Sequence, residues 1–296
     1  MSKANASPLI DRRHLDFLLY ELLDVERLTR YPRFAEHNRE TFDAAIELAH
    51  QIAVEKFLSH NRKSDLNEPQ MVDGKVVLIP EIADALDAYN DSGFAAALAD
   101  FEAGGMQLPF VVATVCDSMF SAANPGTVAY PALARAAANL LEVYGTDEQK
   151  RLYMQPIVAG RYYGTMCLSE PQAGSSLADI RTLAEPRDDG SYRIRGAKMW
   201  ISAGDHELGE NIVHLVLARI AGAPAGVRAS ASSSCRAGAS TTAARARHVT
   251  TCAWPGSTTR WGNAAASTLS SSSARSTTAT VTWWDRQTRA LRRCST

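Results

Sequence analysis

Residues 229–296, the last 68 of this 296-residue chain, contain no Lys, Glu, Ile, Phe, Tyr or Met, and their only acid is Asp285. That absence excludes an ordinary globular composition there, because long aliphatic and aromatic side chains are what a core is built from. In their place stand 14 Ala, 13 Ser, 13 Thr and 9 Arg. Nowhere does the chain hold an uninterrupted apolar run of about 18 residues, so the sequence offers no membrane-spanning helix. The opening "MSKANASPLIDRRHLDFLLYELLDVERL" is broken by charge throughout and lacks the apolar core of a signal peptide. Cys116 and Cys167 have no paired spacing, which argues against a disulfide framework and suits reduced thiols. Together these absences point to a soluble, cytoplasmic protein.

The averages hide two unlike pieces. The net charge of -1 is the sum of a tail with 9 Arg and 1 Asp and a body, residues 1–228, with 22 basic against 31 acidic residues. Four of the five Trp and three of the five Cys also fall in the tail.

The body begins as helices. "RETFDAAIELAHQIAVEKFLSHN" places Phe42, Ile46, Leu48, Ala49, Ile52 and Phe57 near one face, the spacing of an amphipathic helix. "IPEIADALDAYNDSG" predicts a helix starting at Pro80, where the missing amide costs nothing. "LPFVVATVCDSMFSAANPG" and "AYPALARAAANLLEVYG" are apolar nearly all round and predict central helices of a bundle, each closed by a Gly or Asn-Pro-Gly signal. In "GTDEQKRLYMQPIVAG", Thr146 is the expected N-cap, with acids in the first turn.

After Gly160 the texture changes. "RYYGTMCLSEPQAGSS", "SYRIRGAKMWIS" and "NIVHLVLARI" are short, rich in β-branched and aromatic residues, and separated by turn clusters such as Asp188-Asp189-Gly190. "MCLSEPQAGSS" ends a strand in a Ser-rich turn that can offer amides to an anion or a heterocycle. "GAKMWISAGDHE" is expected to put Trp200 and Ser202 on one side of a strand, with Ile201 turned inward. An aromatic face beside a hydroxyl can cover one side of a planar cofactor. Taken alone, each segment reads more readily as an ordinary Ser-rich turn and a core strand Trp than as a cofactor site.

The two segments, about 30 residues apart and behind an all-α region, together resemble the acyl-CoA dehydrogenases. That family has a Leu/Val-Thr-Glu-Pro-x-Ala-Gly-Ser strand end followed by Lys-x-Trp/Phe-Ile-Thr/Ser. "GTDEQKRLYMQPIVAGRYYG" is similar to the family's approach to that strand, and "FEAGGMQLP" to its earlier Gly-Gly turn. "DRRHLDFLLYELLDVERL" is similar to the larger, 3-methylmercaptopropionyl-CoA dehydrogenase-like members. The resemblance covers about residues 8–228 and implies an α+β fold. Residues 1–38 would form an N-terminal helical extension and 39–160 an all-α domain. An incomplete β-domain with FAD-binding motifs would occupy 161–228, and 229–296 would be a disordered tail.

The same resemblance implies that Met166, Cys167, Leu168, Ser169, Gly174 and Ser175 line the isoalloxazine and pyrophosphate of FAD. Leu168 and Ser169 would meet the pyrimidine edge, and Ser175 would also touch the CoA of the substrate. Trp200, Ile201 and Ser202 would flank the flavin. Ser169 stands where Thr is usual and keeps the hydroxyl, whereas Ser176 stands where Asp is frequent and loses a charge. In the family a glutamate of the C-terminal domain takes the α-proton of an acyl-CoA thioester while hydride leaves the β-carbon for the flavin. No Glu occurs after Glu210, so no catalytic residue is assigned and the chain is expected to be inactive as it stands. An electron-transfer flavoprotein is the implied electron acceptor, and the homo-oligomer usual in the family is doubtful without its C-terminal domain.

The tail admits three readings: a disordered linker, a basic nucleic-acid arm, or translation out of frame. Arg without Lys is odd for an arm that grips phosphates, and four Trp are odd for disorder. Back-translation favours the third, so no nucleic-acid partner is expected. "ASASSSCR" re-reads as "GISLFIVP", "VTTCAWPGSTTRWG" as "RDDVRLAGLDHKMG" and "TWWDRQTRAL" as "LVGQADKGL", each similar to a family segment. Codon choice is free at most positions, but Trp254-Pro255 must give Ala, Trp261-Gly262 must give Gly, and Trp283-Trp284-Asp285 must give Val-Gly. A frameshift near Arg228 would leave the sheet with open edges and an uncovered apolar face. It would also weaken or abolish FAD retention. The competing reading is a non-catalytic helical interaction module with a flexible basic tail.

Overall fold

The computed structural model describes residues 7–73, 75–188 and 191–222, together with the backbone of three strands beyond them. Helix α1 (Arg12–Asp16) starts where the Asp11 side chain accepts from the His14 amide, and it runs into a π turn at Phe17–Leu22. Helix α2 (Arg39–Ile52) begins with a reciprocal cap. Asn38 accepts from the Thr41 amide at 2.8 Å while the Thr41 hydroxyl accepts from the Asn38 amide at 3.0 Å, which satisfies two otherwise orphaned donors. Phe42, Ile46, Ala49 and Ile52 are buried, and a π turn at Ala53–Phe57 carries Phe57 into the same core. Leu48, expected on that face, is 38% exposed. Two residues beyond Ile46 a helix has turned about 200°, to its other side.

Helix α3 (Asn61–Leu66) leads to a hairpin of β1 (Gln70–Val72) and β2 (Lys75–Val77). Helix α4 (Pro80–Asp91) starts at Pro80 as the sequence predicts. Between α5 (Phe110–Ala123) and α6 (Pro125–Tyr144) there is no loop. Asn124 ends one helix and caps the next by accepting from the Thr127 amide at 3.1 Å. Thr146 caps α7 (Asp147–Gln149), and a π turn at Lys150–Met154 joins it to α8 (Gln155–Val158). Around Phe120 the rings of Phe57 and Tyr89 stand with centroids 4.9 Å away and Phe94 at 5.2 Å, in the range of favourable offset and edge contacts. Arg135 on α6 donates to both Asp117 oxygens on α5, at 3.1 and 2.6 Å, and to the Tyr89 hydroxyl on α4 at 3.2 Å. One guanidinium therefore fixes the relative register of three helices.

The sheet follows without a separate core of its own at its start. Strand β3 (Tyr162–Cys167) pairs in parallel with β6 (Asn211–Ile220), and Tyr163, Ile212, Val213 and Leu215 belong to the same apolar cluster as the helices. What makes this possible is Gly164: a Cβ there would stand 2.6 Å from Ala137 Cβ and 3.2 Å from Ala134 Cα on α6. β4 (Leu183–Pro186) and β5 (Ser191–Arg195) form an antiparallel hairpin; Asp189 and Gly190 of its expected turn lie outside the described residues.

Three stretches of the supposed tail are strands: β7 (Ser230–Ala237), β8 (Val249–Thr251) and β9 (Ala279–Thr282). β7 pairs with β6, β9 pairs with β5 and with β7, and β4 pairs with both β5 and β6. Strands β6, β4, β5, β9 and β7 therefore close a ring, so the open edges expected of the sheet are covered at β5 and β6, while among the described residues β3 pairs only with β6. An exposed row of amides and carbonyls accepts any extended backbone of β-compatible composition, and these Ser- and Thr-rich pieces supply one. The remainder of 229–296 lies outside the described residues.

Gly164→Ala is expected to force β3 off α6 and destabilise the chain by about 1–3 kcal/mol, the usual cost of overpacking. Urea unfolding followed by circular dichroism checks this, and an unchanged midpoint would contradict the close approach.

Candidate functional site

Beyond β3 the chain leaves the sheet at Leu168 and returns at β4. Inside this excursion Glu170 and Ala173 exchange backbone hydrogen bonds of 2.7 and 3.1 Å, closing a tight loop at Pro171-Gln172. Gly174, Ser175 and Ser176 lie exposed at its end, and among the described residues no hydrogen bond holds their amides. A Cβ at Gly174 would meet nothing within 4 Å. Free amides, two hydroxyls and an unobstructed approach are what an anionic or heterocyclic ligand needs from a loop.

The second segment departs from the expectation. Residues 196–204 are not a strand, so side-chain alternation does not apply. Trp200 and Ala203 take left-handed backbone conformations, with φ of 61° and 53°, which bulky residues seldom adopt. The turn leaves Trp200 62% exposed while Ile201 packs toward Cys167 and Val216. Ser202 is half-buried and Ala203 buried. Outward Trp and inward Ile thus hold, but through a left-handed turn rather than a pleat.

A pair that the sequence reading left unassigned joins the two segments. Glu170 is buried, and its carboxylate accepts four hydrogen bonds. The Arg181 amide and Gln172 Nε2 reach Oε2 at 2.6 and 2.7 Å, and the Thr182 amide and Lys198 Nζ reach Oε1 at 3.0 and 2.8 Å. Lys198 Nζ also donates to the Leu168 carbonyl at 3.0 Å, and the Met199 amide donates to the Ser169 carbonyl at 3.0 Å. Burial pushes the Glu170 carboxyl up, but the bonds from Lys198, Thr182 and Arg181 outweigh it and hold the group down to about 2. Burial also lowers Lys198, and the Glu170 charge opposes that. The available signal was that Glu170 is the lone charge in "MCLSEPQAGSS" and Lys198 the lone charge in "GAKMWISAG".

On the sheet beneath, Thr165 and His214 face each other in register and share a 2.6 Å hydrogen bond. Burial lowers His214 to about 4, so its ring is neutral, and burial raises the neighbouring Cys167 thiol to about 11. Neither has the character of an activated acid, base or nucleophile. Of the residues singled out in the sequence, Leu168, Ser169 and Ile201 are brought against one another's segments. Met166 packs, half-buried, against the main core, Cys167 is buried with Val216 in a separate small cluster, and Leu168 leans on Ala173, Ile180 and Leu217. Gly174, Ser175 and Trp200 lie on the outer surface. Among the described residues no cluster of His, Cys, Asp and Glu can hold a metal, and no helix is long and apolar enough to cross a membrane.

Residues 44–161 match the acyl-CoA dehydrogenase N-terminal domain. The chain is 37% identical to 3-methylmercaptopropionyl-CoA dehydrogenase of Ruegeria pomeroyi over 210 residues, covering 69% of this chain and 36% of that protein. Among solved structures it is similar to acyl-CoA dehydrogenase from Geobacillus kaustophilus, with a TM-score of 0.54 at 21% identity over 66% of this chain and 48% of that one. The acyl-CoA dehydrogenase of Bacillus anthracis complexed with FAD gives 0.52 at 22% identity, over 63% and 30%. The chain spans about a third of the length of the curated relatives it matches.

Two carboxylate-range and imidazole-range titrations are expected in the stability. The unfolded chain protonates its His near 6.5, whereas the folded His214 resists down to about 4, so stability falls as pH drops across that window. The unfolded Glu protonates near 4.5 but the folded Glu170 stays ionised to about 2, so a second loss follows below 4.5. Urea midpoints measured against pH check both. His214→Gln should make the upper window shallower, leaving the share of His60, which burial also lowers, and Glu170→Gln should do the same to the lower; unchanged slopes would contradict the assignment.

Proposed function

We propose that this chain, whose residues 44–161 belong to the acyl-CoA dehydrogenase family, carries the flavin-facing edge of such an enzyme. Ser169, Gly174, Ser175, Trp200 and Ser202 would hold FAD, with Met166, Cys167, Leu168 and Ile201 supporting them from beneath. The observation that carries this reading is the joining of the exposed Ser-rich loop and the exposed Trp200 turn through buried hydrogen bonds. Free amides and hydroxyls at 174–176 fit the pyrophosphate and the CoA. The outward indole fits a planar ring system, against which it supplies apolar area and dispersion. FAD when bound accepts the hydride of an α,β-dehydrogenation.

An acyl-CoA thioester is the proposed substrate of the intact enzyme and an electron-transfer flavoprotein its proposed acceptor. This chain's own residues bind and orient, and none removes the α-proton. Glu170 cannot serve, because both of its oxygens are fully occupied by donors. With no Glu after Glu210, ligand binding without turnover is expected. The forced codons in the tail support translation out of frame from near Arg228, and the same event accounts for the missing base.

FAD added in excess should raise the melting temperature of the purified chain in a saturable way, because a ligand that binds only the folded form stabilises it. As isolated, the chain should show less than a stoichiometric flavin absorbance band. No shift with FAD or with an acyl-CoA would favour a helical interaction module instead. Sequencing the coding DNA across codons 220–235 should reveal an inserted or missing base relative to a frame continuing "GISLFIVP"; no alternative frame of that kind would contradict the frameshift.

A further inference from the structure

We propose that Glu170 and Lys198 are a positioning pair: they fix the spacing between Ser169 and Trp200, and so set flavin affinity without touching the flavin. This rests on the flavin reading above.

Ser169 is bracketed. Lys198 Nζ bonds the Leu168 carbonyl on one side of it and the Glu170 carboxylate on the other, and Ser169's own carbonyl takes the Met199 amide. That leaves Ser169 its amide and hydroxyl for a ligand. Two residues beyond Lys198, Trp200 adopts its left-handed backbone, a conformation that persists only where its surroundings over-determine it. Upstream the constraint is the Lys198–Met199 attachment. Downstream it is buried Ala203 and the packing of Ile201. A bulky aromatic side chain aimed at solvent from a backbone held at both ends is preorganised for a ligand surface. Glu170 also anchors the amides of Arg181 and Thr182 at the approach to β4. One carboxylate therefore gathers the strand exit, the Trp turn and the return strand.

The competing possibility is that the pair only stabilises the fold. Replacing a buried ion pair by neutral groups of similar size is often close to neutral for stability, whereas removing one partner is not. Glu170→Gln/Lys198→Met keeps the shapes, loses the bond to the Leu168 carbonyl and turns an amide NH2 toward one pair of the donors that Glu170 accepts from. The measurement is FAD titration by quenching of tryptophan fluorescence, with melting temperature recorded for each variant of the full chain. Trp200→Phe identifies the indole that reports.

The double variant should stay folded at 25 °C, melting lower by no more than about 10 °C for the backbone amide it leaves unpaired, yet bind FAD at least about tenfold more weakly, the worth of one hydrogen bond to a charged group. Lys198→Arg, whose fork can still reach the carbonyl and the carboxylate, should restore most of the affinity. Recovery of both stability and affinity in the double variant would overturn the proposal. If the unaltered chain shows no saturable FAD binding, the flavin reading fails instead, and amide hydrogen exchange judges the pair. Loss of Met199 amide protection in the folded double variant supports positioning; retained protection overturns it.

Discussion

Strand β3 lies on α6 only because position 164 has no side chain. With Ala137 Cβ 2.6 Å from where a Cβ would stand, no side chain fits between the strand and the helix, and a single apolar core runs from the helices into β3 and β6. Everything downstream inherits its position from that contact. The strand exit at Leu168 is fixed because Tyr163, Thr165 and Cys167 are buried beneath it. The loop of residues 168–176 starts from a rigid edge rather than from a tether.

From that edge outward, electrostatics takes over from packing. Burying a carboxylate and an ammonium is costly, and the cost is offset here by saturating every lone pair of Glu170. The arrangement contrasts with the neighbouring Thr165–His214 contact, where burial simply keeps the imidazole neutral. One buried polar group is charged and fully bonded; the other avoids charge. Both outcomes obey the same rule, that an interior tolerates ionisation only where hydrogen bonds replace water.

Local chemistry was legible in the sequence wherever a single residue decides the backbone. Pro80 at a first helical turn and Thr146 before two acids stand where their side chains demand, whereas Asn-Pro-Gly, read as a stop, also starts the next helix, with Asn124 its cap and Pro125 its first residue. Leu48 was misplaced because a face was read too broadly. The turn at Trp200 was missed for a different reason. Its neighbours have strand-like composition, and nothing local signals a left-handed turn at an aromatic residue; the turn is imposed by contacts with residues about 30 positions earlier. The pairing of Glu170 with Lys198 was missed for the same cause. Each is a lone charge in its own motif, and only the fold makes them partners. Strands β7 and β9 answer to sheet edges and not to their own sequence, so tail composition alone did not announce them.

A loop with free amides, an outward indole and a buried clamp between them make up the proposed binding edge. Hydrogen exchange of the intact chain with and without FAD tests that account most directly, because it reads each segment separately. Added protection confined to residues 168–176 and 198–203 is the predicted result. Protection confined to the helices of residues 39–144, or no change anywhere at saturating FAD, would contradict it.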